Sequence, residues 1–373
     1  MKIVRLETFL VKPRYLFLRM HTDEGLVGLG EPILEGRART VAAAVAELEP
    51  YLLGKDPRRV IHHWQAMYRH AFYRGGPVLT SALSGVEQAL WDLAGKAAGM
   101  PVYQMLGGPV RDRIRMYRGV GGRTPEEAAR SVKERMAEGF TAVKTGVAGG
   151  RPARIVENPA FVERVAARFA AMREAAGGEV DIAIDFHGAV SPQTALLLIE
   201  ALEPHQPFFV EEPIPCQDVE GLAEIARKTH LPIAAGERIF TKWGFRDLLE
   251  RRAVSIVQPD LSHAGGIFEG RIIAGMAESY YVAVAPHCPL GPISLAACIQ
   301  LDAAIPNFLA QEHVTLGAEY LKEPFELKDG FVELPSGPGL GIELDDDKLE
   351  SMIDHDWRNP ESYHPDDGSV VDW

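Results

Sequence analysis

The chain of 373 residues is 46% hydrophobic and 24% charged, a globular rather than a disordered balance. Its 52 acidic and 39 basic side chains give a formal net charge of −13, which argues against nucleic acid or an anionic membrane surface as a partner. An anionic small substrate stays open, because a bound cation can reverse the field inside one pocket.

The opening stretches MKIVRLETFL and RYLFLRMHT alternate as strands, and DEGLVGLGE after them suggests a meander. Arg5, Glu7, Lys12 and Arg14 interrupt this start, so it does not read as a signal peptide. From Thr40 the pattern turns helical, with VAAAVAELEPYLL and VEQALWDLAGKAAG placing apolar residues three and four apart. An α+β lobe is expected over residues 1–113.

From about Ile114 to His313, short apolar strands alternate with amphipathic helices. In TPEEAARSVKERMAEG the expected N-cap is Thr124, Pro125 occupies the first turn, Glu127 completes a capping box and Gly139 ends the helix. Ser191 and Pro192 repeat the design in SPQTALLLIEALEP. Such alternation with short links implies a parallel sheet closed into a (β/α)₈ barrel, here over residues 114–334. The tail, residues 335–373, contains GPGLGIELDDDKLE and reads as a short strand and loops returning to the first lobe. The expected fold class is therefore α/β: a modified TIM barrel with an α+β N-terminal capping domain completed by the C-terminal segment. No apolar run approaches a membrane span, and the stretch from Ile293 to Ala310 carries Asp302 and Pro306. Cys216, Cys288 and Cys298 have no metal-type spacing and cannot pair evenly, which fits a reducing cytoplasm.

Six apolar runs end in an acidic residue or histidine: VDIAIDFH, FFVEEP, PIAAGER, AVSIVQPD, YVAVAPH and NFLAQEH. The polar residues are Asp185, Glu211, Glu237, Asp260, His287 and Glu312, with successive differences of 26, 26, 23, 27 and 25. One βα unit needs about that many residues, so each group is expected at the same end of successive strands, where catalytic residues of barrels converge. A single carboxylate after a strand is ordinarily a helix cap or a surface charge. Independent caps have no reason to recur at this spacing.

Asp185, Glu211 and Glu237 supply three hard oxygen ligands, which suit Mg²⁺, and Cys288 is the one soft ligand nearby. Salt bridges to Arg238 are the competing account, but three buried carboxylates without a cation would repel. His287 and Asp260 follow neighbouring strands, so Asp260 can orient the imidazole and raise its basicity. Strand alternation would put His187 on the same face as Asp185, giving an acid to set against the base. Lys144, ending FTAVK, could meet a substrate carboxylate or serve as a cap. Glu312 could hydrogen-bond a developing enediolate. SHAGG, residues 262–266, would place backbone amides at a helix start, a feature that can bind anions.

At these residues the chain resembles the enolase superfamily in its mandelate-racemase-like branch, and within it the D-galactonate dehydratases. The segments HTDEGLVGLGEP, EGRART, FYRGGP, DFHG, EEP, AAGER, QPDLSHAGGI and APHCPLGPI carry the resemblance over nearly the full length. It implies Mg²⁺ held by Asp185, Glu211 and Glu237, His287 as base assisted by Asp260, His187 as acid, and Glu312 stabilising the intermediate. The implied reaction is dehydration of a sugar acid, D-galactonate first, to a 2-keto-3-deoxy acid, with another aldonic acid (gluconate-type) or racemisation or epimerisation of a hydroxy acid as alternatives. A metal-stabilised barrel serving only as a scaffold is the non-enzymatic reading. Many relatives carry a K-x-K strand where this chain has Gly146 in the second position, and others carry lysine in place of Asp260, which argues against cycloisomerase and dipeptide epimerase chemistry. The stretch KTGVAGGRP also departs from the galactonate dehydratase pattern and leaves the sugar stereochemistry open. Arg14, Tyr15, Arg74 and Gly75 are specificity positions by this resemblance, or surface and packing residues. A homo-oligomer is expected for such a barrel.

Overall fold

A computed structural model of the chain describes residues 1–147, 149 and 152–372. The first lobe opens with β1 (Ile3–Val11), β2 (Tyr15–Thr22) and β3 (Val27–Gly30), an antiparallel meander in that order. Helices α1 (Ala38–Leu52), α2 (Val60–Arg69), α3 (Pro77–Ala98) and α4 (Val102–Met105) follow. Strand β3 lies directly on α3. A Cβ on Gly30 would stand 1.9 Å from the carbonyl oxygen of Gly85, so only glycine permits this approach.

The barrel runs β4 (Arg113–Gly119), α5 (Pro125–Ala137), β5 (Ala142–Gly146), α6 (Pro159–Ala176), β6 (Asp181–Asp185), α7 (Pro192–Leu202) and β7 (Val210–Glu211). It continues with α8 (Val219–Lys228), β8 (Ile233–Ala235), α9 (Thr241–Glu250), β9 (Ile256–Val257), α10 (Gly266–Ser279), β10 (Ala283–Val284), α11 (Pro292–Ala304) and β11 (Gln311–Glu312). Consecutive strands from β4 to β10 pair in parallel, and β11 pairs in parallel with β4. A bridge from Val284 to Phe308 closes the ring. Eight strands alternate with seven helices: β11 leads into the C-terminal segment, so the eighth helix of a regular (β/α)₈ barrel is replaced among the described residues. That segment contributes the hairpin β12 (Leu327–Lys328) and β13 (Phe331–Glu333), which pairs with the start of β4, and then α12 (Asp346–Glu350).

The capping box of α5 forms as its sequence implies, with Thr124 and Glu127 each satisfying a backbone N–H of the other, and Ser191 caps α7 through the N–H of Thr194. Inside the barrel, Tyr117, Ala142, Ala183, Phe209, Ala234, Ile256, Ala285 and Ala310 form a separate core, one residue from each strand or its flank. Five alanines leave room for the Tyr117 and Phe209 rings, which meet edge-on at 6.2 Å.

Helix α3 is buried from Thr80 to Gly95, and its polar residues recur at helical spacing to bind the lobe to the barrel. The hydroxyl of Ser81 meets Nδ1 of His263 at 2.9 Å, and that of Ser84 accepts the N–H of Gly265. Gln88 donates to the carbonyl of Leu261 and the hydroxyl of Ser262. The Glu87 carboxylate accepts the N–H groups of Ile267 and Phe268 at 2.8 and 2.7 Å, and the indole N–H of Trp91. This corrects one expectation. The SHAGG turn does open a helix, but its amides from Ser262 to Gly265 donate to Asp260 and Ser84, and Glu87 caps the N–H groups just past the turn, so the helix start is capped internally and is not an anion site. The C-terminal segment also touches the first lobe, through a bridge from Val11 to Ile353 and the N–H of Leu340 donating to Asp92. Among the described residues no helix is long and apolar enough to cross a membrane.

Glu87→Ala strips a fully buried helix start of its acceptor and leaves two backbone N–H groups and the indole N–H of Trp91 unsatisfied. It is expected to cost about 3 kcal/mol in chemical denaturation. A loss below about 0.5 kcal/mol, the size of an ordinary surface change, would refute the interface role.

Candidate active site

The strand ends bring the spaced polar residues to one mouth of the barrel. Counting from β4, Lys144 stands on the second strand and Asp185, Glu211 and Glu237 on or just beyond the third, fourth and fifth. Asp260 and His287 follow three residues beyond the sixth and seventh strands, and Glu312 ends the eighth. Asp185 and Glu211 are register partners. One oxygen from each of Asp185, Glu211 and Glu237 lies within 4.8 Å of the other two. Three hard carboxylate oxygens gathered this closely could hold one divalent cation.

Lys144 belongs to this cluster rather than to the surface. Its Nζ lies 2.8 Å from Glu211, 2.8 Å from Glu312 and 3.7 Å from Asp185. The spacing concealed it: 41 residues separate Lys144 from Asp185, against about 25 between the other strand ends. Burial disfavours the ammonium, but Glu211 and Glu312 outweigh it and hold the Lys144 pKa well above its ordinary value. Burial and the nearby Asp185 push Glu211 well up, whereas Asp185, despite burial, is held down to about 2 by Lys144 and His187. Glu312 is lowered against its burial by Lys144 and His287.

Nδ1 of His287 is 2.9 Å from Oδ2 of Asp260, and its Nε2 is 3.3 Å from Oε2 of Glu237 and 3.9 Å from Glu312. Burial works against the imidazolium, but the carboxylates of Glu237, Asp260 and Glu312 prevail and raise its pKa well above normal. Asp260 is fully buried and also accepts the N–H of Ser262 at 2.7 Å. Glu312 accepts the N–H of Cys288 at 3.2 Å.

His187 reaches the site by a route other than strand alternation. Strand β6 ends at Asp185, and His187 sits in a turn with φ of 51°. Left-handed backbone of this kind costs a residue with a side chain about 1 kcal/mol or more. It turns Nε2 back to Oδ2 of Asp185 at 2.8 Å while its N–H donates to Oδ1 at 2.7 Å. The Asp185 hydrogen bond is the main reason its pKa rises, and burial opposes it. The third and seventh of eight strands are diametrically opposed, so His187 and His287 flank the carboxylates from two sides. Beside His187 lies a cavity of about 1060 Å³, lined among others by Thr145, Gly146, Val147, Asp185 and Ser362.

Arg238 does not neutralise the three carboxylates. It pairs with Glu212, to which it also donates from Nε at 3.2 Å, and stands 4.0 Å from Glu237. Glu212, the second acid of the EEP segment, is buried, and burial and Glu237 raise its pKa to about 7 against the pull of Arg238. Tyr15 is 4% exposed, stacks on Phe17 and meets Tyr320 edge-on, a packing role. Arg14 donates to the carbonyl of Pro289 in the loop after His287 and lies 3.9 Å from Glu35. Arg74 lies over the Tyr68 ring and, with Gly75, lines a pocket among α1, α2 and α3. Within KTGVAGGRP, Ala148, Gly150 and Arg151 lie outside the described residues.

Lys144 is the built-in cation of an over-charged cluster, and breaking such a buried pair costs about 3–5 kcal/mol. Lys144→Met is expected to lower the melting temperature of chelator-treated protein. It is also expected to enlarge the rise in melting temperature that added Mg²⁺ produces, relative to the parent, as binding to the folded state alone requires. An equal rise in both proteins would contradict this placement.

Comparison with known proteins agrees with this geometry. Residues 7–107 match the mandelate racemase / muconate lactonizing enzyme N-terminal domain, and residues 127–348 match the enolase C-terminal domain-like family. The chain is 49% identical to a D-galactonate dehydratase of Ralstonia nicotianae and 48% identical to one of Pectobacterium atrosepticum, in each case over all of both chains. Among solved structures, an Agrobacterium radiobacter enolase described as a candidate galactarate dehydratase, with sodium and L-malate bound, superposes with a TM-score of 0.93. It is 32% identical, with all of both chains covered. A candidate dehydratase of Mesorhizobium loti gives a TM-score of 0.89 at 34% identity, covering 95% of this chain and 99% of its own. The chain belongs to the enolase superfamily, as an enzyme of its mandelate racemase / muconate lactonizing enzyme family.

Proposed function

We propose that the chain is a Mg²⁺-dependent hydro-lyase that dehydrates D-galactonate, or a close aldonic acid, to its 2-keto-3-deoxy acid. The observation that carries this reading is the placement of the Asp260–His287 dyad and His187 on opposite sides of the three-carboxylate cluster. The near-half identity to D-galactonate dehydratases over full length supports the substrate class.

The three carboxylates Asp185, Glu211 and Glu237 would hold the ion, and their donor set of hard oxygens fits it. When bound, Mg²⁺ supplies Lewis-acid stabilisation for the charge that grows on the substrate carboxylate, and offsets the Glu237 charge that otherwise favours protonated His287. Nε2 of His287 takes the α-proton. Asp260 keeps its proton-accepting nitrogen aimed by holding Nδ1–H. Lys144 donates to an enediolate oxygen, and Glu312, 2.8 Å from its Nζ, holds the ammonium in place for it. His187 gives its proton to the departing β-hydroxyl, so that water leaves and the enol product tautomerises to the 2-keto acid. The cavity beside His187 has room for the carbons beyond the β-position.

The opposed histidines also suit a two-base racemase or epimerase, and one comparison separates the roles. His287→Asn is expected to abolish both dehydration and exchange of the α-proton with D₂O. His187→Asn is expected to abolish dehydration yet retain exchange, since hydroxide leaves poorly without protonation. Proton NMR of recovered substrate reads the α signal. Exchange kept in the His287 variant and lost in the His187 variant would reverse the assignment. Conversion of substrate into its epimer by the parent enzyme would favour the isomerase.

A further inference from the structure

One buried histidine in contact with this machinery has no part in the reaction just described. His263 is 5% exposed and lies where the first lobe meets the barrel. Its Nδ1 is 2.9 Å from the hydroxyl of Ser81, on α3. Its Nε2 faces two carboxylates, Oε2 of Glu35 at 3.6 Å and Oδ2 of Asp260 at 3.8 Å. That second oxygen is the one that holds the base, at 2.9 Å from Nδ1 of His287. A nitrogen facing two carboxylates carries its proton, and Ser81 can donate to the other ring nitrogen in the neutral form. One N–H is therefore placed between two acceptors, one from each lobe.

We propose that Glu35 and His263 are positioning residues for the base: Glu35 draws the Nε2–H of His263 toward the capping lobe and leaves Oδ2 of Asp260 to His287. Without Glu35, that N–H turns wholly to Asp260, competes with the imidazole of His287 for the same lone pairs, and both weakens and misaligns the base. Glu35 is itself fixed. Arg14 lies 3.9 Å from it and donates to Pro289, two residues after His287 in sequence, so the contact ties the loop between β3 and α1 to the loop that carries the base. His263 and Arg14 hold the Glu35 pKa down at about 2 against its burial, so it is ionised at neutral pH. The base is complete only when the first lobe is seated on the barrel.

The idea rests on His287 being the base, and its test includes a readout that needs no turnover. In the Mg²⁺-loaded enzyme, Glu35→Gln is expected to lower kcat about tenfold and to change KM by less than about twofold, the pattern of a lost transition-state interaction. In a His263→Gln background the same change is expected to lower kcat no further, because the route from Glu35 to the base is gone. The low-field proton resonance of the His287 Nδ1–H, read in resting enzyme, is expected to move in Glu35→Gln, while the melting temperature shows the variant folded. A raised KM with unchanged kcat, or losses that add in the double variant, would make Glu35 a substrate contact and overturn the proposal. A stationary resonance would overturn it as well. If the parent turned over no sugar acid, the proposed function would fall and the resonance alone would decide the inference.

Discussion

Everything at the barrel mouth depends on an excess of negative charge. Among the described residues, Asp185, Glu211, Glu237, Asp260 and Glu312, all buried except the half-buried Glu237, share one neighbourhood with a single ammonium, that of Lys144, and with imidazoles whose charge is conditional. Carboxylates this close cannot all ionise in a poorly solvated site without cations among them. Lys144 relieves Glu211 and Glu312, and His187 relieves Asp185; Glu237 is left with Arg238 at 4.0 Å and His287 at 3.3 Å. A divalent ion at the three oxygens resolves the remainder, and it does so at the point where a substrate carboxylate would bring yet another negative charge.

The fold exists to hold this arrangement rigid. Parallel pairing sets the strand ends side by side, and the alanine-rich interior lets the strands close tightly beneath them. The first lobe is bound down by a helix whose buried polar residues meet barrel backbone and side chains in place of water. Buried polar groups of this kind contribute little net stability when satisfied and cost heavily when one partner is lost, so they fix one seating of the lobe. That seating carries Ser81 and Glu35 to His263, one residue removed from the base.

Much of this was legible in the sequence because strand, helix and link together take a nearly constant number of residues. The regular spacing from Asp185 to Glu312 marks the strand ends without reference to any fold. Lys144 escaped the pattern because the connection after its strand is long, and a lysine ending a strand looks the same whether it caps or reaches inward. His187 was placed in the right company by the wrong geometry: alternation fails beyond the last strand residue, and a left-handed turn returns the ring to Asp185. The SHAGG turn showed the opposite failure. The helix start is real, but the carboxylate that caps it, Glu87, lies 180 positions before Ile267, and local sequence carries no trace of such a pairing. The Glu35–His263 contact is non-local in the same way.

The central claim is that this cluster, loaded with a divalent cation, makes a proton beside a carboxylate acidic enough to remove. Its most direct test is to incubate the protein with D-galactonate and other aldonic and aldaric acids, with Mg²⁺ and after chelation, and to read the products by NMR. The account predicts a 2-keto-3-deoxy acid from an aldonic acid when Mg²⁺ is present, none after chelation, and recovery on returning the ion. Undiminished turnover in the metal-free protein would contradict it.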